Sequence, residues 1–151
     1  MTNNQEKSKL DIVSGDSVVI EQSPVIEVEP EKLEIFQNSG LTVLIKHDYY
    51  AADSAHGREL LRAFLKALSS KKDIIDRIFV IDSGVKLLTS GNSLYNEFIT
   101  FIKEIPVVTA CAESIEEYGA DDAGLPANCE VIGISDIAKA LIDTQGLITL
   151  E

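Results

Sequence analysis

From Leu41 onward, short β-branched apolar runs alternate with segments of helical period, and this alternation constrains the fold more than any other feature of the chain. LTVLIKH is followed by SAHGRELLRAFLKALSS, DRIFVID by GNSLYNEFITFIKE, PVVTAC by AESIEEYG, EVIGIS by DIAKALID, and GLITL closes the series. In the first helical segment Leu60, Leu61, Phe64, Leu65 and Leu68 recur at helical spacing, and Ser54 stands where an N-cap belongs. Leu94, Phe98, Phe101 and Ile102 share one face of the second, and Ile137, Ala138, Leu141 and Ile142 are expected to face inward from the last. Gly119 is placed to end the third. Strands separated by helices must run parallel, because only a crossover returns the chain to the same edge of the sheet. Runs such as TVLI and IFVI are apolar at every position, as strands covered on both faces are. The expected fold is therefore a three-layer α/β/α sandwich with a five-stranded, mainly parallel sheet.

Residues 1–40 read differently. They carry eight acidic and three basic residues, with Pro24 and Pro30 and no sustained periodic face. SVVIEQ and PVIEVEP alternate as short strands do, but a flexible acidic leader is the simpler expectation. The Asn38–Gly40 turn signal then separates it from a second region, residues 41–151.

Composition narrows the function. A net charge of −12 in 151 residues opposes a nucleic-acid or anionic-membrane surface, both of which need clustered Lys and Arg. The segment MTNNQEKSKLDIV lacks the apolar stretch of a secretory signal, so a cytoplasmic protein is expected. Two cysteines, Cys111 and Cys129, make neither a disulfide framework nor a zinc site. No metal or cofactor is expected. There is no Walker loop, no GxGxxG after a strand, no GxSxG elbow and no acidic pair ending the first strand.

Open parallel sheets bind and react at the carboxyl ends of their strands. The residues expected there are His47 and Asp48, then Asp82, Ser83 and Gly84, then Cys111, then Ser135 and Asp136, with His56 at the next helix start. Most have plain structural explanations: Asp82-Ser83-Gly84 as a strand-exit turn, Ser135 or Asp136 as an N-cap. Cys111 carries the sharper expectation. A free cysteine is often a small buried hydrophobe. At a strand end and helix mouth, however, backbone N–H groups of Ala112 and Glu113 and the helix dipole favour a sulfur anion. Glu113, Glu116 and Glu117 oppose it with charge of the wrong sign, and the sequence leaves that balance open. Any chemistry at Cys111 requires an accessible sulfur. Cys129, just before the fourth strand, is expected to be structural or on the surface.

Four stretches, GRELLRAFLKAL, IFVIDSGVKLLTSGNSLYNEF, VVTACAESIEEYG and VIGISDIAKAL, together resemble the DsrE-like (DsrE/DsrF/TusD) sulfur-relay family over about residues 41–150. The likeness looks closest to the C-terminal domain of YedF-type, sulfurtransferase-like selenium-metabolism proteins. The Ser83–Leu87 turn SGVKL is its most specific part; the family usually has Asn before it, where this chain has Asp82. Cys111 and Gly119 keep the family spacing from the sulfur-accepting cysteine to a glycine. Ser114 stands in place of a second cysteine, and Glu116, Glu117 and Tyr118 in place of basic residues. The resemblance implies a sulfurtransferase-like protein carrying a persulfide on Cys111, with sulfur or selenium as cargo. Asp82, Ser83, Gly84, Ala112, Glu113, Ser114, His47 and His56 would support the pocket. It further implies donor and acceptor partners, such as TusA-like thiol carriers, and a homo-oligomer, trimer or hexamer. The rival expectation is a non-catalytic, oligomeric interaction subunit or a small-ligand binder on the same fold.

Overall fold

The computed structural model describes residues 40–120 and 124–151. The acidic leader with its two candidate strands, and residues 121–123, lie outside the described residues. The strands are β1 (Leu41–Ile45), β2 (Ile75–Val80), β3 (Val107–Cys111), β4 (Cys129–Ile132) and β5 (Leu147–Leu150). The helices are α1 (Ala55–Ser69), α2 (Tyr95–Ile102), α3 (Ala112–Tyr118) and α4 (Ile134–Ile142). Every strand pairing is parallel, in the order β4-β3-β2-β1-β5.

That order distributes the helices unequally. Crossovers are right-handed, so successive steps in one direction put their helices on one face. The steps from β1 to β4 all go the same way, and α1, α2 and α3 share a face with Val43, Ile45, Ile78, Val80, Val108 and Ala110. The return from β4 to β5 runs the other way. Its helix, α4, meets Leu44, Phe79 and Cys111 on the opposite face through Ile137. Among the described residues, the three-layer arrangement thus has three helices on one side and one of nine residues on the other.

Local rules explain most element ends. The Ser54 hydroxyl accepts a hydrogen bond from Gly57 N at 2.9 Å and caps α1. Gly119, at φ 65°, closes α3 in the left-handed conformation that glycine adopts without strain. α2 starts later than its periodicity suggests. The Asn92 side chain accepts from Leu94 N at 2.9 Å and holds residues 89–94 in turns. The segment Asp82–Leu88, read from sequence as a turn, is a 3₁₀ helix that buries Ser83, Gly84, Val85, Leu87 and Leu88.

α4 corrects two expectations. Its N-cap is Gly133, without a side-chain bond of its own, so neither Ser135 nor Asp136 caps it. Its inward face is Ile137 with Ala140 and Leu141, while Ala138 and Ile142 are exposed. Inward residues at i, i+3 and i+4 of Ile137 leave Ile142 on the outer surface. Similarly, Phe64 of α1 is half-exposed and packs its ring on Tyr50 with centroids 4.5 Å apart.

Phe98, fully buried at 0% exposure, is one of the largest side chains in the main core. Phe98→Ala is predicted to destabilise the fold by about 3–5 kcal/mol, read from the shift of a urea unfolding midpoint at unchanged slope.

Candidate functional site

The carboxyl ends of β1 and β2, with helix α3, bring five side chains to one rim. His47 leaves β1, Asp82 and Ser83 leave β2, and Ser114 and Tyr118 come from α3. The Asp82 backbone takes a positive φ of 51°, a conformation that Asp and Asn tolerate better than most residues. The Ser114 hydroxyl accepts from Asp82 N at 2.8 Å and fixes this turn. Gly84 comes so close to the end of β1 that a Cβ there would lie 2.8 Å from the Ile45 carbonyl oxygen. Its own N–H donates to Lys46 O at 3.2 Å, so the 3₁₀ segment is seated on β1 by a contact only glycine permits.

His47 stacks on Tyr49 with ring centroids 4.7 Å apart and planes 2° from parallel. Its Nδ1 lies 3.0 Å from Ser83 Oγ and 3.6 Å from Asp82 Oδ2. In a Ser-His-Asp triad the hydroxyl and carboxylate take opposite ring nitrogens. Here both face Nδ1, so the group is no such triad. The Tyr118 hydroxyl donates to Asp82 Oδ1 at 2.7 Å, and Lys86 Nζ sits 5.1 Å over the Tyr118 ring. The bond to Asp82, with some burial and the nearby negative charge, pushes the Tyr118 phenol up to about 12. Tyr118 is the member that the sequence alone does not single out. Its one signal is its place before Gly119, at the end of the helix that Cys111 begins.

Cys111 is not part of this rim. It is 2% exposed and packs with Leu44, Phe79 and Ile137 under α4. The expectation of an accessible sulfur is therefore overturned. The cause is the pleat: Cys111 shares a sheet face with Phe79 and Leu44, the face that α4 covers. The expected cradle of Ala112 and Glu113 backbone N–H groups is also corrected, since the Cys111 side chain caps no amide of α3. The thiol instead donates to Glu113 Oε1 at 3.5 Å. The same carboxylate oxygen accepts from Ile134 N at 2.9 Å. That amide bond is the main reason the Glu113 carboxyl is held below its ordinary range. A carboxylate against the sulfur has the wrong sign of charge to stabilise an anion there.

His56 is exposed on the first turn of α1 and takes part in none of these contacts. Cys129 opens β4, the edge strand beside β3. It pairs in register with Val108 and packs toward the three-helix face, away from Cys111. Burial, followed by the neighbouring Glu130 charge, pushes its thiol up to about 11. Among the described residues no three His, Cys, Asp or Glu side chains gather as metal ligands would, and no helix is long and apolar enough to cross a membrane.

Residues 39–150 match the family model described as the DsrE/DsrF-like family. Among solved structures the chain is similar to a protein of unknown function, MTH1491, from Methanobacterium thermoautotrophicum. The TM-score is 0.51 at 18% identity, over 72% of this chain and 96% of that one. It is also similar to the ychN protein from E. coli, with TM-score 0.50 at 16% identity, over 74% of this chain and 99% of that one. At these identities the likeness is one of fold. The search of curated proteins found no match.

Tyr118 and Asp82 yield a direct test of the rim. In a spectrophotometric titration of the tyrosines, one phenol is predicted to ionise near 12. In Asp82→Ala, with bond and charge removed, that phenol moves down toward the ordinary value of about 10. An unchanged titration would show that the Tyr118–Asp82 bond does not form in solution.

Proposed function

The chain belongs to the DsrE/DsrF-like family, and from that premise we propose that it serves sulfur relay as a binding subunit whose Cys111 carries no sulfur while the fold is closed. One observation carries this reading: Cys111 is 2% exposed, with its thiol turned onto the Glu113 carboxylate. Nucleophilic sulfur chemistry needs a sulfur that a donor can reach, and this geometry does not supply that access. The exposed polar surface of the rim, Asp82 and Tyr118 beside His47, is what the fold offers to a partner or small ligand. Partner thiol carriers of the TusA-like kind and assembly into a homo-oligomer belong to this proposal. So does a YedF-type assignment, on the strength of the Ser83–Leu87 segment and the Cys111-to-Gly119 spacing; sulfur or selenium as cargo belongs to the second reading.

A second reading has its own support, because Cys111 stands at the carboxyl end of β3, where parallel sheets place their chemistry. In it the Cys111 thiolate attacks the outer sulfur of a donor persulfide, forms Cys111–S–SH and releases the donor as its thiolate. The sulfur moves without net oxidation or reduction. This requires the cover over Cys111 to withdraw.

Incubation of the native chain with a persulfide donor, followed by intact-mass measurement, separates the two. The closed-subunit reading predicts that Cys111 gains nothing. A gain of one sulfur atom that disappears in Cys111→Ser would overturn it in favour of the carrier.

A further inference from the structure

The cover over Cys111 is a separable part of the molecule. It is the first turn of α4, and three observations describe how it is held. Its contact with the sheet is narrow: Ile137 is the one fully buried residue of α4, with Ala140 and Leu141 partly buried beside it. Its start has no cap from its own residues; Gly133 provides none, and the Ile134 N–H is taken by Glu113 from α3. The oxygen of Glu113 that holds Ile134 N also receives the Cys111 thiol, at 2.9 and 3.5 Å. One carboxylate, at the start of α3, therefore joins the cover and the atom being covered. Gly133 before α4 and Gly146 after it leave the segment between two glycines, residues able to absorb the backbone change of a hinge.

We infer that the N-terminal turn of α4 is a lid over Cys111 and that Glu113 is its latch. The inference concerns access to the sulfur. It rests on the carrier reading only for its purpose, that of deciding when Cys111 becomes available to a sulfur donor. In the closed state the Glu113 carboxylate caps the Ile134 amide and the thiol lies beneath. When that bond breaks, the turn swings on Gly133, Ile137 leaves Phe79 and Leu44, and the sulfur meets solvent. Glu113 is thus a positioning residue: it sets how often the thiol is exposed.

The two ends of the latch can be removed independently. Glu113→Ala deletes the acceptor. Ile134→Pro deletes the donor and leaves Glu113 intact; it is the first helical position, which proline tolerates, and the Ile134 side chain is 41% exposed, so little core is lost. The measurement is the alkylation rate of Cys111 in the full-length native chain with N-ethylmaleimide, assigned to Cys111 by peptide mass. When closing is fast compared with labelling, the rate tracks the open population. Loss of a hydrogen bond to a charged group corresponds to about tenfold or more in that population. Both variants are predicted to label Cys111 about tenfold or more faster than the unaltered chain, at a rate that at low urea rises with urea far less steeply than the global unfolding equilibrium does, because a local opening exposes little surface. Glu113→Gln, which keeps an acceptor oxygen, should show a smaller increase.

Unaltered labelling in Glu113→Ala would overturn the latch. So would acceleration in Glu113→Ala with none in Ile134→Pro, since the Ile134 amide would then not be what Glu113 holds. Labelling that carries the full urea slope of global unfolding would also overturn it; if Glu113→Ala is too unstable to purify, Ile134→Pro decides by the same criteria. Labelling reads access, whereas sulfur loading reads chemistry. A lid that opens in these variants with no sulfur ever loaded on Cys111 would end the carrier reading and leave the lid standing.

Discussion

Four parallel crossovers govern this molecule. Three step across the sheet in one direction and stack α1, α2 and α3 on one face; the fourth must return past all of them and can only lay α4 on the other. The result is a thick side, with Phe98, Phe101, Leu61 and Leu65 filling the space against the sheet, and a thin side closed by a nine-residue helix. Whether a strand-end residue is presented to solvent or sealed then depends on its place in the pleat. Ala110 faces the thick side and Cys111 the thin one. The protection of the sulfur follows from one residue of register and from how firmly α4 is held.

Glu113 takes part in both sides of that question. As a charge it opposes a sulfur anion; as a hydrogen-bond acceptor it ties α4 down over the thiol. The electrostatic conflict visible in the sequence, helix dipole against carboxylates, is resolved by geometry. The Cys111 side chain does not reach the amides at the start of α3, and the carboxylate occupies the position beside the sulfur. The polar chemistry of the sheet edge is instead concentrated on the neighbouring strand ends, where a left-handed Asp82 holds Tyr118 and approaches His47.

Much of this was legible in the chain. The β-α alternation fixes a parallel five-stranded sheet because connectivity and periodicity leave few other solutions, and Ser54 and Gly119 mark their helix ends for reasons of local chemistry. The inward face of α2 follows from spacing alone. Other features depend on contacts that spacing does not encode. The α4 cap comes from Glu113, a residue 21 positions earlier, and no local pattern at Gly133-Ile134-Ser135 announces it. Ile142 has the composition of a core residue but falls on the outer side of a helix with one buried position. Cys111 was recognisable as a strand-end residue; its burial was not, because the side of the sheet it faces depends on the direction in which β4 returns to β5. Tyr118 needed the αL turn at Asp82 to bring a carboxylate within reach.

The most direct measurement is residue-resolved amide hydrogen exchange by nuclear magnetic resonance on the full-length chain. The Ile134, Asp136 and Ile137 amides, which depend on Glu113 and Gly133 oxygens, are predicted to exchange through a shared local opening, well before Val80 and Ala110 in the central strands. Exchange of those three amides only with global unfolding, at the same free energy as the central strands, would contradict a lid and leave α4 a fixed part of the core.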